Sequence, residues 1–219
     1  MRLTLYSAWR ATAPYRVRIG LALKGLGYDY VALDLMKGEQ REPAYRAINP
    51  QGLTPALDLG HEDGGDGDIL TQSLAILEWL DEIHPEPAIM PAAPLDRQRV
   101  RTMALIIACD IHPLNNTRVG RALNKLGVSA DDNREWIRRW ISDGFDTLEP
   151  MVAKYGRGFA FGAAPTIADC CLVPQVYSAN RYELDMSPWP AIHAANTQAL
   201  AHPAFQAAHP DNQPDAKPL

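Results

Sequence analysis

The sequence Asn49-Pro-Gln-Gly-Leu-Thr-Pro-Ala-Leu57 places a Thr-Pro pair between a glycine-containing turn and an apolar run. An X-Pro bond in a tight turn is a candidate for the cis form, which would expose the N–H and C=O of Thr54. A free main-chain donor and acceptor side by side bind another peptide as a strand would. The stretch therefore predicts a strand that begins at Pro55 and a site for the amide of a peptide-like ligand.

A second segment, Thr71-Gln-Ser73, precedes apolar residues at helical spacing, namely Ala75, Ile76, Trp79 and Leu80. Ser73 is therefore expected at a helix N-terminus, where main-chain N–H groups and the helix dipole attract a carboxylate. Each segment also has a plain alternative, since most X-Pro bonds are trans and a serine before a helix is usually only a cap. Together the two segments predict a clamp for a small acidic peptide.

Composition and charge exclude several classes of protein. The 219 residues are 47% hydrophobic and 21% charged, as in an ordinary globular protein, and the net charge of -5 includes no basic stretch suited to nucleic acid. Residues 1–6 alternate like a strand and lack the apolar core of a signal peptide, and no apolar run reaches transmembrane length. We therefore expect a cytoplasmic protein that binds neither nucleic acid nor membrane.

Cysteine and histidine spacing gives no sign of a disulfide framework or a metal site. The three cysteines, Cys109, Cys170 and Cys171, show no C-x-x-C spacing, and neighbours on a helix point in different directions. The six histidines are scattered and form neither an H-x-x-x-H pair nor a Cys/His cluster. We expect no metal ion.

The N-terminal part of the chain predicts a β-α-β unit. Residues 2–6 and 28–35 alternate like strands. Between them, residues 15–24 have helical spacing that stops at Gly25 and Gly27. A crossover of this kind pairs its two strands in parallel.

The next part predicts an antiparallel hairpin and a helix. Residues 55–59 and 68–70 flank a polar turn over 61–67, and a helix follows over 73–83. A β-α-β unit followed by β-β-α is the pattern of a thioredoxin-like domain. We therefore predict an α/β thioredoxin-like domain over residues 1–84.

The character of the sequence changes after a proline-rich segment. Four prolines within residues 85–94 predict a linker, which we place at 85–95. Helical patterns without strands follow over 97–111, 133–154 and 168–180. We therefore predict an all-helical substrate-binding domain over residues 96–219, with a fraying tail from His209.

Thr166-Ile-Ala-Asp169 has the arrangement of a capping box, in which the threonine hydroxyl and the carboxylate satisfy free N–H groups of a helix. A structural role for Asp169 is favoured over a catalytic one for this reason. Arg16 and Arg18 are expected to cover the surface of the first helix.

The chain resembles the zeta class of cytosolic glutathione transferases, the class of the maleylacetoacetate and maleylpyruvate isomerases, over nearly its whole length. Two segments already quoted and four others carry the resemblance, and those of the thioredoxin-like part alone identify only the superfamily. The stretches concerned are Trp9-Arg10, Tyr15-Arg-Val-Arg-Ile19, Asn49 to Leu57, Gln72-Ser-Leu-Ala-Ile76, Ala108-Cys-Asp-Ile-His-Pro-Leu-Asn-Asn116 and Ala168-Asp-Cys-Cys-Leu-Val-Pro-Gln175. The stretch that ends at Asn116 is the one most specific to the zeta class.

The resemblance implies that glutathione is the ligand of the clamp. Thr54 and Pro55 would present the main chain to its cysteinyl part, and Gln72 and Ser73 would take its γ-glutamyl carboxylate. Gln51 would lie near the glycyl end. These implied roles agree with the clamp read from the residues.

The resemblance also implies a homodimer. Asp110 would reach the amino group of the glutathione bound by the neighbouring subunit. Asn115 and Asn116 belong to the same motif and would contribute to glutathione binding at the domain interface, beside a structural His112.

The sequence departs from the class in the loop before the first helix. The class usually reads Trp-Arg-Ser-Ser-Cys, whereas this chain reads Trp9-Arg-Ala-Thr-Ala13. The serine that hydrogen-bonds the glutathione sulfur falls on Ala11, and the cysteine falls on Ala13. Thr12 is the hydroxyl that remains, and the helix N-terminus near Pro14 also favours a thiolate.

The activity implied is glutathione-dependent cis–trans isomerisation of a small dianionic maleyl compound in aromatic catabolism, either maleylacetoacetate or maleylpyruvate. Arg10 and Arg181 are expected to hold its carboxylates, and Arg181 has the alternative of a surface cation at a helix end. Two other functions are weighed: conjugation or dehalogenation of small α-halo acids, and a non-catalytic binding module, which the alanines at 11 and 13 would suit.

Overall fold

The computed structural model describes residues 2–60 and 68–217. Its contacts divide the chain into two compact units, residues 1–89 together with 202–219, and residues 90–201. The polar turn predicted over 61–67 lies outside the described residues.

A four-stranded mixed sheet forms the centre of the first unit, with the order β2-β1-β3-β4. β1 and β2 run parallel, whereas β1 pairs with β3 and β3 with β4 in antiparallel fashion. The parallel crossover and the hairpin are both confirmed. The strands are β1 Leu3–Ser7, β2 Tyr28–Ala32, β3 Ala56–Asp58 and β4 Ile69–Thr71.

Three helices alternate with these strands: one lies between β1 and β2, one between β2 and β3 after a short 3₁₀ turn at Glu39–Arg41, and one follows β4. Apolar side chains of the first and third helices pack on the sheet, where Leu5, Val17 and Ile76 are fully buried. This core positions the N-termini of both helices at the ends of strands. The helices are α1 Thr12–Leu23, α2 Pro43–Ile48 and α3 Ser73–Ile83.

The regular elements of residues 90–201 are all helical, as predicted. The helix predicted over 97–111 begins earlier, at Pro94, and its last six residues, Ile106–Ile111, form a π-helical segment. The sequence pattern did not predict two helices, Thr117–Lys125 and Pro190–Leu200, because their exposed faces weaken the apolar spacing. The helices are α4 Pro94–Leu105, α5 Thr117–Lys125, α6 Ala130–Tyr155, α7 Ile167–Arg181 and α8 Pro190–Leu200.

The C-terminal segment groups with the first unit. Its helix α9, Pro203–Ala208, packs against α1, and a 3₁₀ turn follows at Pro210–Asn212. The predicted boundaries 1–84, 85–95 and 96–219 assign this segment to the second domain, whereas its contacts are with the first unit. The prediction that the tail frays from His209 is wrong as far as residue 217, because side chains of this tail hydrogen-bond to the first unit.

The capping box before α7 is confirmed. One carboxylate oxygen of Asp169 accepts from the N–H and hydroxyl of Thr166 at 2.8 and 3.0 Å, and the other accepts from the N–H of Ala160 at 2.6 Å. Burial raises the pKa of this carboxyl to about 6. Asp169 therefore has a structural role: its bonds to Thr166 cap the start of α7, and its bond to Ala160 ties the preceding segment to that helix.

Among the described residues, no helix has both the length and the apolar character needed to cross a membrane.

Candidate functional site

The loop before β3 presents a free main-chain edge. The Thr54–Pro55 peptide bond is cis, as the sequence suggested. The preceding carbonyl, that of Leu53, accepts hydrogen bonds from the Asn49 amide and the Tyr45 hydroxyl, both at 2.7 Å. These two bonds hold the loop in one conformation. Within residues 2–60 and 68–217, neither the N–H nor the C=O of Thr54 is hydrogen-bonded. The amide site predicted from the sequence is therefore available.

Gln72 lies beside this edge in an uncommon backbone conformation. Ala56 pairs with Thr71 in the sheet, so Pro55 and Gln72 flank that pair. Gln72 has a φ of 66° and a ψ of 107°, and its side-chain amide donates to Gln51 Oε1 at 2.9 Å. Residues held in such sparsely populated conformations cluster at ligand sites, at a cost of roughly 1–3 kcal/mol. The two glutamines thus form one polar edge of the clamp.

The N-terminus of α3 carries positive potential that its own residues leave uncompensated. Its first helical hydrogen bond runs from the Ile76 N–H to the Gln72 carbonyl, so the N–H groups of residues 73–75 point out of the helix. No side chain of the described residues caps this end, and its first turn has no acidic residue. Behind it, Arg16 Nη1 donates to Ser73 Oγ at 3.3 Å, and Arg16 is only 2% exposed. The end of this helix therefore favours an anion.

Arg16 and Arg18 do not cover the surface of α1, and that prediction is wrong. Arg18 is completely buried, and burial lowers the pKa of its guanidinium. Two residues that are two positions apart lie on nearly opposite sides of a helix, so an arginine pair of this spacing could have indicated that one faces the interior. The acceptors of Arg18 are Ser7 Oγ and the carbonyls of Ala8, Trp9 and Ala208.

The loop that departs from the class pattern leads directly into α1. Ala11 occupies the cap position without a capping side chain, Thr12 begins the helix, and Pro14 lies in its first turn. No acidic residue is present in that turn, so this helix end is also electropositive. The half-exposed Arg10 lies 5.3 Å from the Trp9 ring, and no carboxylate in the described part of the chain pairs with it.

The zeta-type motif in the second unit spans the end of the π-helical segment and the start of α5. Asp110 is exposed, and π-helical turns occur often at functional sites. Asn116 caps α5, since its side-chain oxygen accepts from the Arg118 N–H at 3.0 Å. The amide nitrogen of Asn115 is buried and has no acceptor among the described residues. Asn116 therefore has at least a structural role.

The predicted site residues occur in both units. Arg181 is the last residue of α7, is exposed, and stacks near Tyr182 at 6.0 Å. The clamp residues of the first unit are Gln51, Thr54, Pro55, Gln72 and Ser73, with Arg10 and Thr12 in the loop before α1, whereas Asp110, Asn115, Asn116 and Arg181 belong to the second unit.

In the described ranges, no group of three His, Cys, Asp or Glu side chains is arranged to hold a metal ion. The cysteines are free thiols, with Cys109 exposed and Cys170 and Cys171 buried.

Comparison with known proteins gives consistent matches. Residues 13–83 match the family of glutathione S-transferase N-terminal domains. Over 213 residues the chain is 44% identical to the maleylacetoacetate isomerase of Pseudomonas aeruginosa, a match that covers 96% of this chain and 97% of the relative.

Two solved structures have the same fold. One is the holo structure of a maleylpyruvate isomerase, described as a bacterial zeta-class glutathione S-transferase; its TM-score is 0.93 at 44% identity, with 98% of this chain and 100% of that chain covered. The other is the maleylacetoacetate isomerase of Anaeromyxobacter dehalogenans with glutathione bound in its active site; its TM-score is 0.90 at 44% identity, with 99% and 98% covered.

Proposed function

This chain belongs to the maleylacetoacetate and maleylpyruvate isomerase family within the zeta class of glutathione transferases, and we propose that it catalyses glutathione-dependent cis–trans isomerisation of a maleyl diacid. The observation that carries the proposal is the clamp of the first unit: among the described residues, the main chain of Thr54 has no hydrogen-bond partner and no side chain caps the helix end at Ser73.

The residues of the clamp fit glutathione. An amide edge and an anion site next to each other match a ligand that has both a peptide bond and a terminal carboxylate. Thr54 and Pro55 would hold the cysteinyl part, Gln72 and Ser73 the γ-glutamyl carboxylate, and Gln51 the glycyl end. When bound, glutathione would supply a thiolate for reversible addition to a conjugated double bond.

The loop before α1 would set the charge state of the thiol. The side chains of Ala11 and Ala13 offer neither a donor nor a nucleophile, so the Thr12 hydroxyl and the main-chain N–H groups at the N-terminus of α1 are left to favour a thiolate. We assign this role to the helix end together with the Thr12 hydroxyl. The absence of an acidic residue in the first turn supports the assignment, because a negative charge there would raise the pKa of the thiol.

Two arginines would hold the dianionic substrate. Arg10 directly precedes the cap of α1, and no described carboxylate neutralises it. Arg181 ends α7 in an exposed position. We assign one carboxylate of the diacid to each, with Arg10 also countering the charge that develops on the substrate oxygen during addition.

Several further roles complete the proposal. Asp110 would contact the amino group of glutathione in a homodimer, and Asn115 and Asn116 would support the same site. The unpartnered amide nitrogen of Asn115 supports a ligand or water contact there. We place the enzyme in the cytoplasm, in a pathway of aromatic catabolism.

An assay of cis-to-trans conversion tests the activity. Purified wild type is given maleylacetoacetate or maleylpyruvate with and without glutathione, and the Arg181→Ala variant is compared with Arg134→Ala, which removes an exposed arginine of α6. We expect turnover only with glutathione, a loss of about 100-fold in kcat/KM for Arg181→Ala, and wild-type rates for the control.

The outcomes separate the competing functions. Turnover without glutathione, or tight glutathione binding with no turnover of either diacid, would overturn the proposal. In the second case, release of halide from an α-halo acid would identify a conjugating or dehalogenating enzyme, and its absence would favour a binding module.

A further inference from the structure

A carboxylate near the end of the chain holds the loop that contains Arg10. Asp215 Oδ2 accepts a hydrogen bond from the main-chain N–H of Trp9 at 3.1 Å. Asp215 Oδ1 accepts from the Tyr30 hydroxyl at 2.7 Å. Both bonds lie within the first unit, and Asp215 is half-buried.

The carbonyl of the same residue, Trp9, is held by a buried cation, Arg18. Arg18 Nη2 donates to the Trp9 carbonyl at 2.6 Å, and Nη1 donates to Ser7 Oγ at 3.1 Å. Burial raises the pKa of Tyr30, so its O–H remains a donor to Asp215. The N–H of Trp9 is thus held by the Asp215 carboxylate, and its C=O by the Arg18 guanidinium.

The segment that presents Asp215 is itself anchored. Gln213 is 8% exposed, and its side-chain amide donates to the carbonyls of Ala207 and His209 at 3.0 and 2.9 Å. Lys217 Nζ lies 3.3 Å from Asp34 Oδ2. The carboxylate is therefore held by contacts on both sides along the chain, so that its two hydrogen bonds define one position for Trp9.

We propose that Asp215 is a positioning residue for catalysis, which orients the loop from Trp9 to Ala13 through the Trp9 N–H. The inference rests on the proposed function, since its consequence is the placement of Arg10 and of the N-terminus of α1. A displacement of about 1 Å in a catalytic group can cost about 100-fold in rate. Asp215 has no hydrogen bond to the clamp residues, so its loss should affect the loop and leave the clamp intact.

The test compares Asp215→Ala and Asp215→Asn with Asp211→Asn. Asp211 is an exposed carboxylate of the same segment with no hydrogen bond to the loop among the described residues, so its variant controls for the loss of one negative charge. We expect kcat to fall at least about tenfold in Asp215→Ala, with the Kd of glutathione changed less than about twofold. Asp215→Asn retains one acceptor and should recover part of kcat, and Asp211→Asn should match wild type.

Hydrogen exchange separates this inference from the proposed function. Amide exchange of a peptide that covers residues 8–13 is measured by mass spectrometry in each variant, and we expect faster exchange of this peptide in Asp215→Ala only. If wild type isomerises neither diacid, the proposed function fails, and the exchange result still decides whether Asp215 orders the loop.

Two results would overturn the inference. The first is that both kcat and the exchange of the 8–13 peptide are unchanged in Asp215→Ala. The second is that kcat falls together with an equal loss of glutathione affinity and faster exchange throughout the first unit. A merely structural role of Asp215 would produce this second pattern. Should Asp215→Ala not fold, Tyr30→Phe removes one donor to the same carboxylate, and the same pair of readouts decides the question at a smaller expected loss of about threefold in kcat.

Discussion

Gln72 shows at the scale of one residue how the site retains an unfavourable conformation. Its φ of 66° would suit a glycine, yet a glutamine occupies the position and donates to Gln51. For a residue with a Cβ this sparsely populated conformation costs roughly 1–3 kcal/mol. The glutamine side chain is therefore kept, together with the backbone conformation that orients the N–H groups after it, although this conformation makes the folded state less stable. Such strain is common at ligand clamps.

Gln72→Gly should separate stability from binding. We expect the free energy of unfolding to rise by up to about 1 kcal/mol, because glycine adopts positive φ without strain, while the Kd of glutathione rises at least about tenfold through loss of the side chain. Urea denaturation and calorimetric titration measure the two quantities.

The matched control is Glu183→Gly, which changes the other described residue with positive φ that is not glycine, at φ 54° in the second unit. It should relieve similar strain and leave glutathione binding unchanged. Equal binding in wild type and Gln72→Gly would show that Gln72 is not part of the clamp.

At the scale of elements, the ends of helices carry most of the chemistry. The N-termini of α1 and α3 lack both a capping side chain and an acidic first turn, whereas α7 begins with a complete capping box. The first two ends keep N–H groups for a ligand, and the third uses its N–H groups for its own stability. The same element thus serves binding or folding according to its first few residues.

Substitutions at the cap of α1 should change stability and thiol chemistry in different ways. Ala11→Ser and Ala11→Asp each supply a cap, so both should raise the free energy of unfolding by about 1 kcal/mol. The serine adds a donor and should lower the pKa of the bound glutathione thiol, with a gain of about tenfold in kcat, whereas the aspartate adds a negative charge and should raise that pKa. Ultraviolet thiolate absorbance against pH measures the effect, and a lower thiol pKa in Ala11→Asp would contradict it.

The capping box of α7 should give stability a defined pH dependence. Burial raises the pKa of Asp169 from 3.8 to about 6, so the folded state binds a proton more tightly than the unfolded state between these values. The free energy of unfolding should therefore fall by about 3 kcal/mol as the pH rises from about 4 to about 6, and this contribution should be constant above that.

Urea denaturation of wild type and Asp169→Asn across this range isolates the contribution, because other carboxylates cancel in the difference between the two. The variant should be less stable throughout, since an amide cannot accept all the hydrogen bonds of the carboxylate, and its stability should lack this slope. A wild-type advantage that does not fall with rising pH in the window would refute the assignment.

At the scale of the whole molecule, the contacts of the chain do not follow its order. The last helix, α9, leaves the helical unit and packs on α1 of the first unit, where Phe205 is fully buried and Ala208 accepts from Arg18. The C-terminal helix therefore belongs to the same compact unit as α1, and a destabilising substitution in α9 should weaken the first unit.

Phe205→Ala should lower the free energy of unfolding by about 3–5 kcal/mol, as expected for a large buried aromatic side chain. Deuterium uptake should rise in peptides from α1 before it rises in peptides from α7. Phe161→Ala removes a half-buried ring of the second unit and should cost less, without faster exchange in α1. An even rise over the whole chain would contradict the grouping of α9 with the first unit.

Local patterns determined a large part of this protein. Alternation and helical spacing predicted β1, the hairpin, α1, α3 and the all-helical second unit, and Thr166 with Asp169 predicted the start of α7. These features depend on residues a few positions apart, and the sequence states such spacings directly. The clamp at Thr54 and Ser73 was predicted for the same reason, because each half is a local motif.

Tertiary structure alone decided the features that join distant segments. The burial of Arg16, the position of α9 and the hydrogen bond from Trp9 to Asp215 connect residues up to 206 positions apart. No local pattern specifies which polar group a buried arginine or a C-terminal carboxylate will meet, because the partner is chosen by packing of the whole unit. The residues that would bind the ligand could be found in the sequence, and those that hold the loop in place became visible only when the chain was folded.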